Sequence, residues 1–130
     1  HGSLREALAK QRWDLIVHTA GPFQGQDSLV LEAAIEAGVP YLDVCDDTAL
    51  CQEAAGLAAA ATNSRVPSVV GAGIFPGLSG ILAAEAVDNL HVPAERVDFS
   101  CFGAGSGNAG PTIVSATFLL LAEPPLIYEG

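Results

Sequence analysis

The sequence predicts an α/β fold in which parallel strands alternate with helices, and three observations lead there. Three stretches with strand character, starting at Asp14, Tyr41 and Ser68, stand roughly 27 positions apart. Each runs into a small or polar turn, Thr19-Ala20-Gly21-Pro22, Cys45-Asp46-Asp47 or Gly71-Ala72-Gly73, and then into helical sequence. Leu15-Ile16-Val17 is apolar on both faces, as a strand covered by helices on each side requires. In sheets built by βα crossovers, ligands bind beyond the carboxyl ends of the strands, so the three turns would line one edge.

The elements follow in order. Ser3 and Glu6 have capping-box spacing ahead of the stripe Leu4, Ala7 and Leu8, which predicts a helix over residues 4–12. After the first strand, Gly21 and its small neighbours mark a backbone that turns closely under a ligand. Asp27 is the expected N-cap of a helix over 28–37, with Leu31, Ala34 and Ile35 on one face and Gly38 at its end. Val39-Pro40 leads into the central strand. The Ala-rich run 48–62 keeps Leu50, Ala54, Leu57, Ala58 and Ala61 in helical register, and either Asp46 or Asp47 can cap it.

Residues 68–72 make the third strand, Pro76 sits in the first turn of the next helix, and His91-Val92-Pro93 ends that helix. Residues 97–102 alternate apolar and polar side chains, which predicts an antiparallel strand with one solvated face and sets a domain boundary before it. A Gly-rich loop, 103–110, precedes a helix opened by Pro111 and stopped by Pro124-Pro125, and Leu126-Ile127-Tyr128 reads as a further strand. The 111–122 helix is more apolar than a solvated helix needs, so it is expected to pack on the second sheet or on a partner subunit.

Composition narrows the function classes. Half of the 130 residues are hydrophobic and 15% are charged, which fits a folded core. The formal net charge of -10 opposes steering toward nucleic acid or anionic lipid. The longest apolar run, 113–122, is too short to span a bilayer. Cys45, Cys51 and Cys101 are odd in number and lie in no CxxC pattern, which reads as reduced thiols in a cytoplasmic protein. With no starting Met, the chain reads as an internal piece of a longer enzyme.

The central stretch carries the chemistry. Asp43, Asp46 and Asp47 fit an acid/base group, acceptors for sugar hydroxyls or an ammonium substrate, metal ligands together with Cys45, or simple helix caps. Asp43 lies inside an apolar strand, where an unpaired carboxylate costs several kcal/mol, so it calls for a partner. No second cluster with ligand spacing supports a metal. His18, next to a candidate cofactor turn, fits a group that titrates near neutral pH, a hydrogen-bond donor to a ligand, or a satisfied structural histidine. Cys45 near a helix start would have a lowered pKa if the neighbouring carboxylates did not oppose the thiolate. Gly105-Ser106-Gly107-Asn108-Ala109-Gly110 is a literal G-x-G-x-x-G with Glu129 about 20 residues on. The alternating strand before it favours an interdomain or substrate loop, with Gly107 at the substrate, over a pyrophosphate loop opening a new dinucleotide fold.

Asp14-Leu15-Ile16-Val17-His18-Thr19-Ala20-Gly21-Pro22-Phe23, Glu36-Ala37-Gly38-Val39-Pro40-Tyr41-Leu42-Asp43 and Gly73-Ile74-Phe75-Pro76-Gly77-Leu78 together resemble the saccharopine dehydrogenase-like NAD(P)-dependent oxidoreductases. The resemblance covers about residues 13–90 and is looser from 93 onward. It implies the second half of a Rossmann-type parallel sheet of three βα units over residues 1–92. The start of an α+β substrate and dimerisation domain, and with it a homodimer, would follow over 93–130. It further implies NAD or NADP as cofactor and a small-molecule substrate, with Thr19, Ala20, Gly21 and Pro22 along the nicotinamide, Asp43 and Val44 beside its ribose, and Phe75, Pro76 and Gly77 at the domain crevice. Asp46 joins the candidate substrate residues, and no catalytic residue is assigned. Saccharopine-forming members resemble an Asp-Pro-Gly version of the third motif, and Phe75 in the acidic position argues against amino-acid substrates of that type. A contrasting reading is a non-catalytic Rossmann-like scaffold or metabolite sensor. Two expectations follow: a three-stranded parallel sheet with an open edge should be poorly stable alone, and Asp43→Asn should weaken ligand binding more than stability.

Overall fold

A computed structural model describes residues 3–100 and 110–122. It is an α/β structure whose three short strands, β1 (Ile16–His18), β2 (Tyr41–Asp43) and β3 (Ser68–Val69), form one parallel sheet in the order β1-β2-β3. The register pairs Ile16 with Tyr41 and His18 with Asp43, then Tyr41 with Ser68. Parallel neighbours need a crossover, and helices supply both of them: α2 (Leu29–Ala37) joins β1 to β2, while α3 (Thr48–Gly56) and α4 (Ala58–Ser64) join β2 to β3. α1 (Leu4–Ala9) precedes the sheet, and α5 (Leu78–Asp88) and α6 (Pro111–Ala122) follow it.

Local chemistry explains the helix ends. Ser3 and Glu6 complete the capping box of α1. Asp47, and not Asp46, caps α3, its Oδ1 accepting from Leu50 N at 2.7 Å. At the start of α2 the N-cap is Ser28, whose N–H and hydroxyl both donate to Glu53 Oε1 of α3, while Asp27 accepts from Leu29 N. The 48–62 helix expected as one piece is two, because it breaks after Gly56, a poor helix former, at Leu57 with ψ near 0°.

Helices α2 and α4 end by the same device. Gly38 adopts φ 69°, and Val39 N donates back to Ala34 O at 2.9 Å; Arg65 adopts φ 56°, and Val66 N donates to Ala61 O at 2.9 Å. These are Schellman closures, each followed by a buried Val and then a Pro whose carbonyl accepts from the next strand: Pro40 O from Ile16 N, Pro67 O from Tyr41 N.

The core lies on one side of the sheet. Leu31, Ala34 and Ile35 of α2 pack with Tyr41, Ala54 and Val66, and Ile16 and Val70 close its margin. Each fully buried Leu or Ile side chain contributes about 2 kcal/mol. On the opposite face Leu15, Val17 and Val69 are exposed, so among the described residues the helices cover one face of the sheet and leave the other open, where the sequence predicts cover on both.

Three further expectations are corrected. β3 stops at Val69 and does not reach 72, because the chain turns at Gly71 (φ 71°). Pro76 lies ahead of α5, which starts at Leu78 after Gly77 (φ 120°). Residues 97–100 form no strand, since no described strand lies alongside to pair with them; Phe99 instead meets Phe75 edge-on, centroids 5.4 Å apart. The loop residues 103–109 including Gly107, and 123–130 including Glu129, lie outside the described residues. Val114, Phe118 and Leu119 of α6 are exposed. No described helix is long and apolar enough to cross a membrane.

Candidate functional site

Parallel strands in one register place His18, Asp43 and the turn after Val69 side by side at the carboxyl edge of the sheet. The turns that follow are joined by hydrogen bonds. Gln24 Nε2 donates to Asp46 Oδ1 at 3.1 Å, joining the first turn to the second. Ala72 N donates to the Asp43 carbonyl at 2.9 Å, joining the second to the third.

Asp43 is the centre of this edge. Its side chain is buried, 4% exposed, on the same strand face as Tyr41. Oδ1 accepts from Cys45 N at 3.0 Å and from Gly71 N at 2.8 Å; Oδ2 accepts from the Tyr41 hydroxyl at 2.9 Å. A buried carboxylate needs donors of this kind to offset its lost hydration. Tyr41 Oη in turn lies 3.0 Å from His18 Nδ1. Burial, and then the Asp43 carboxylate, raise the Tyr41 pKa well above the usual phenol value, so the phenol keeps its proton. His18 also meets Phe23 edge-on, ring centroids 5.1 Å apart.

The remaining candidates are spread along the same edge. Thr19 and Ala20 are exposed, Gly21 and Pro22 half-buried, and Gln26 Nε2 holds this turn by donating to Ala20 O at 2.9 Å. Val44 is half-buried against Gly73, whose missing Cβ would lie 3.4 Å from Val44 O. Phe75 is exposed, Pro76 is exposed but lays its ring against Gly71, and Gly77 folds back onto Gly73. The structure therefore brings Asp43, Val44, Pro76 and Gly77 together around Gly71 and Gly73, with Thr19, Ala20, Gly21 and Pro22 beside them on the β1 side and Phe75 at the outer rim.

Cys45 is fully buried, and burial pushes its thiol up to about 12 despite a hydrogen bond to Asp47 O. The lowered pKa considered from sequence is thus reversed: the helix start is there, but desolvation outweighs it. Among the described residues no group of three or more His, Cys, Asp or Glu is placed to hold a metal ion.

Space and chemistry lie in different places. A hollow of about 560 Å³ opens beside α3 and α4 between Leu31, Ile35, Leu57, Ala61 and Val66. The hollow bounded by His18, Asp27, Tyr41 and Asp43 measures only about 10 Å³. At most one water fits there, so this hollow between sheet and α2 has no room for a larger molecule.

Two polar atoms at this edge await a donor. Gln24 Oε1 is the one side-chain polar atom among the described residues that is sealed from solvent with no hydrogen-bond partner. His18, half-buried, makes no hydrogen bond through Nε2 among the described residues, and that atom is not sealed in the same way. His18 was a candidate from sequence, whereas Gln24 and the His18–Tyr41 contact were not. The available signal was the spacing of Tyr41 and Asp43, two apart on one strand face.

No family model, no curated protein and no solved structure matches this chain; the family resemblance rests on the three sequence motifs.

Proposed function

We propose that residues 1–92 form the nicotinamide-facing half of a Rossmann-type dinucleotide-binding sheet, in an NAD(P)-dependent oxidoreductase resembling saccharopine dehydrogenase that acts on a small molecule. Residues 93–130 would begin its substrate and dimerisation domain. The observation that carries the reading is the arrangement of three parallel strands, each carrying or running into a quoted motif, whose following turns meet at one carboxyl edge.

The residues present fit such a cofactor in part. His18 Nε2 makes no hydrogen bond among the described residues and would suit a polar group of a nicotinamide riboside, whereas Gln24 Oε1 is sealed from solvent and would not reach it. Thr19, Ala20, Gly21, Pro22, Val44, Phe75, Pro76 and Gly77 would hold the group. Asp43 does not fit as a direct ligand, because protein donors already engage both of its oxygens. In this reading it fixes the edge. The bound nicotinamide would supply the hydride chemistry, and the protein orientation and electrostatics.

Titration of the ¹⁵N-labelled chain with NADH, NADPH and reduced nicotinamide mononucleotide tests this. Amide shifts confined to the turns after β1, β2 and β3 are expected. Unmoved spectra at millimolar ligand with all three would overturn it.

One observation favours a second reading, a metabolite-binding module without catalysis: the strand-edge carboxylate is consumed by internal hydrogen bonds and is not left for a ligand. Shifts at the same turns, with no substrate-dependent change in nicotinamide absorbance across a panel of alcohols and amines, would support that module.

A further inference from the structure

Hydrogen bonds at the strand edge run in one direction, and that direction settles the state of His18. Asp43 Oδ1 accepts two backbone N–H groups, which marks the side chain as an acceptor. Oδ2 lies 2.9 Å from Tyr41 Oη. A phenol has one proton to give. Given to Oδ2, it leaves Oη able only to accept from His18 Nδ1, 3.0 Å away. Nδ1 therefore carries the hydrogen, and in the neutral ring Nε2 holds a lone pair. No described residue takes that lone pair, and Nε2 is not among the atoms sealed from solvent.

We propose that His18 is the proton acceptor of this edge: Nε2 receives the hydroxyl proton of a bound small molecule, while Tyr41 and Asp43 act as positioning residues that hold the ring in the Nδ1–H tautomer. In the transfer the ligand O–H bond breaks, its electron pair stays on oxygen, and a new N–H bond forms at Nε2. The imidazolium that results keeps its Nδ1–H on Tyr41. His18 meets Tyr41 from β2 and Phe23 from its own turn, and shares a small hollow with Asp43, Asp27, Ser28 and the apolar Val30, Leu31, Leu50 and Ala54. A histidine with both nitrogens committed to the protein would be structural; this one has one nitrogen committed and one open. The inference goes beyond the nicotinamide reading and needs no cofactor for its test.

Asp43→Asn supplies a sharp test because it should reverse the chain. The amide oxygen can still accept from Cys45 N and Gly71 N, which places the NH₂ where Oδ2 was. That NH₂ donates to Tyr41, so the phenol turns its proton toward His18 Nδ1 and drives the hydrogen onto Nε2. Long-range ¹H–¹⁵N spectra of the neutral ring read the tautomer directly. The native chain is expected to show hydrogen on Nδ1 and Asp43→Asn to show it on Nε2. Diethylpyrocarbonate, which acylates a free imidazole lone pair, should modify His18 in the native chain and lose that reaction in Asp43→Asn, with His91 as the exposed comparison. An Nε2–H tautomer in the native chain, or a tautomer unmoved in the folded variant, overturns the proposal. If Asp43→Asn does not fold, Tyr41→Phe is the second arm: it should release the Nδ1–H preference, and a ring still locked with hydrogen on Nδ1 would overturn it.

Discussion

Asp43 Oδ1 accepts from the backbone N–H of Gly71 at 2.8 Å, so a side chain of β2 holds the main chain just beyond β3. Removing the carboxylate leaves buried donors unpaired. Asp43→Ala should lower the unfolding free energy by about 3 kcal/mol and Asp43→Asn by about 1 kcal/mol, since the amide keeps two acceptor contacts. Urea midpoints check both. The sequence alone suggests that ligand binding suffers more than stability; the internal hydrogen bonds of Asp43 add a stability cost to that expectation.

Two left-handed positions should respond in opposite ways. Arg65 adopts φ 56° at the end of α4, where Gly38 serves α2. Arg65→Gly should stabilise by about 0.5–1 kcal/mol by relieving the Cβ clash. Gly77 has φ 120°, and an added Cβ would strike Gly73 O and lie 2.7 Å from Gly73 N. Gly77→Ala should therefore disrupt the third turn, visible as loss of the Leu78 and Ser79 amide signals from their native positions.

Thiol alkylation should separate two cysteines. Cys45 is fully buried with its pKa pushed up to about 12, and Cys51 is half-buried with a smaller rise. Only the thiolate reacts. In the native chain iodoacetamide should label Cys51 well before Cys45, and in urea the two should label alike, as peptide mass spectra would show. Because the Cys45 thiol is raised, stability should be intact below its ordinary value of 9.0 and decline as pH climbs from there toward about 12.

Acid should weaken the helix contacts at the opposite end of the scale. Hydrogen bonds from Ser28 hold the Glu53 pKa below the ordinary 4.5, and the Arg5 hydrogen bond does the same for Glu36. A lowered carboxylate contributes stability above its unfolded pKa and loses it as pH falls through the folded one. Melting temperature should therefore drop below about pH 4.5, less steeply in Glu53→Gln, and the Arg5–Glu36 part should shrink in high salt because both partners are exposed.

Much of the fold was legible because its signals are local. Ser3 with Glu6, Gly38 after a helical stripe, and strand starts 27 positions apart each record a short-range rule. Asp43 was legible as a buried carboxylate in need of partners, but not the partners themselves: Gly71 N is 28 residues away, and its place depends on how three turns fold together. His18 was undecided for the same reason, since its state follows from a register that pairs it with Asp43 across the sheet. The break at Leu57 and the absence of strand over 97–100 were misread where helical or alternating pattern outran the tertiary contacts that sustain an element.

The Asp43 clasp also sets how the edge moves in time. Amides in turns ordinarily exchange their hydrogens quickly, yet Cys45 N and Gly71 N are both bonded to one buried carboxylate oxygen. Their exchange should be slow and correlated, occurring only when β2 and the turn after β3 part together. Neighbouring Thr19 and Ala20, exposed on the β1 side, should exchange independently. The rim of the sheet would then consist of a stiff half and a yielding half, divided between β1 and β2.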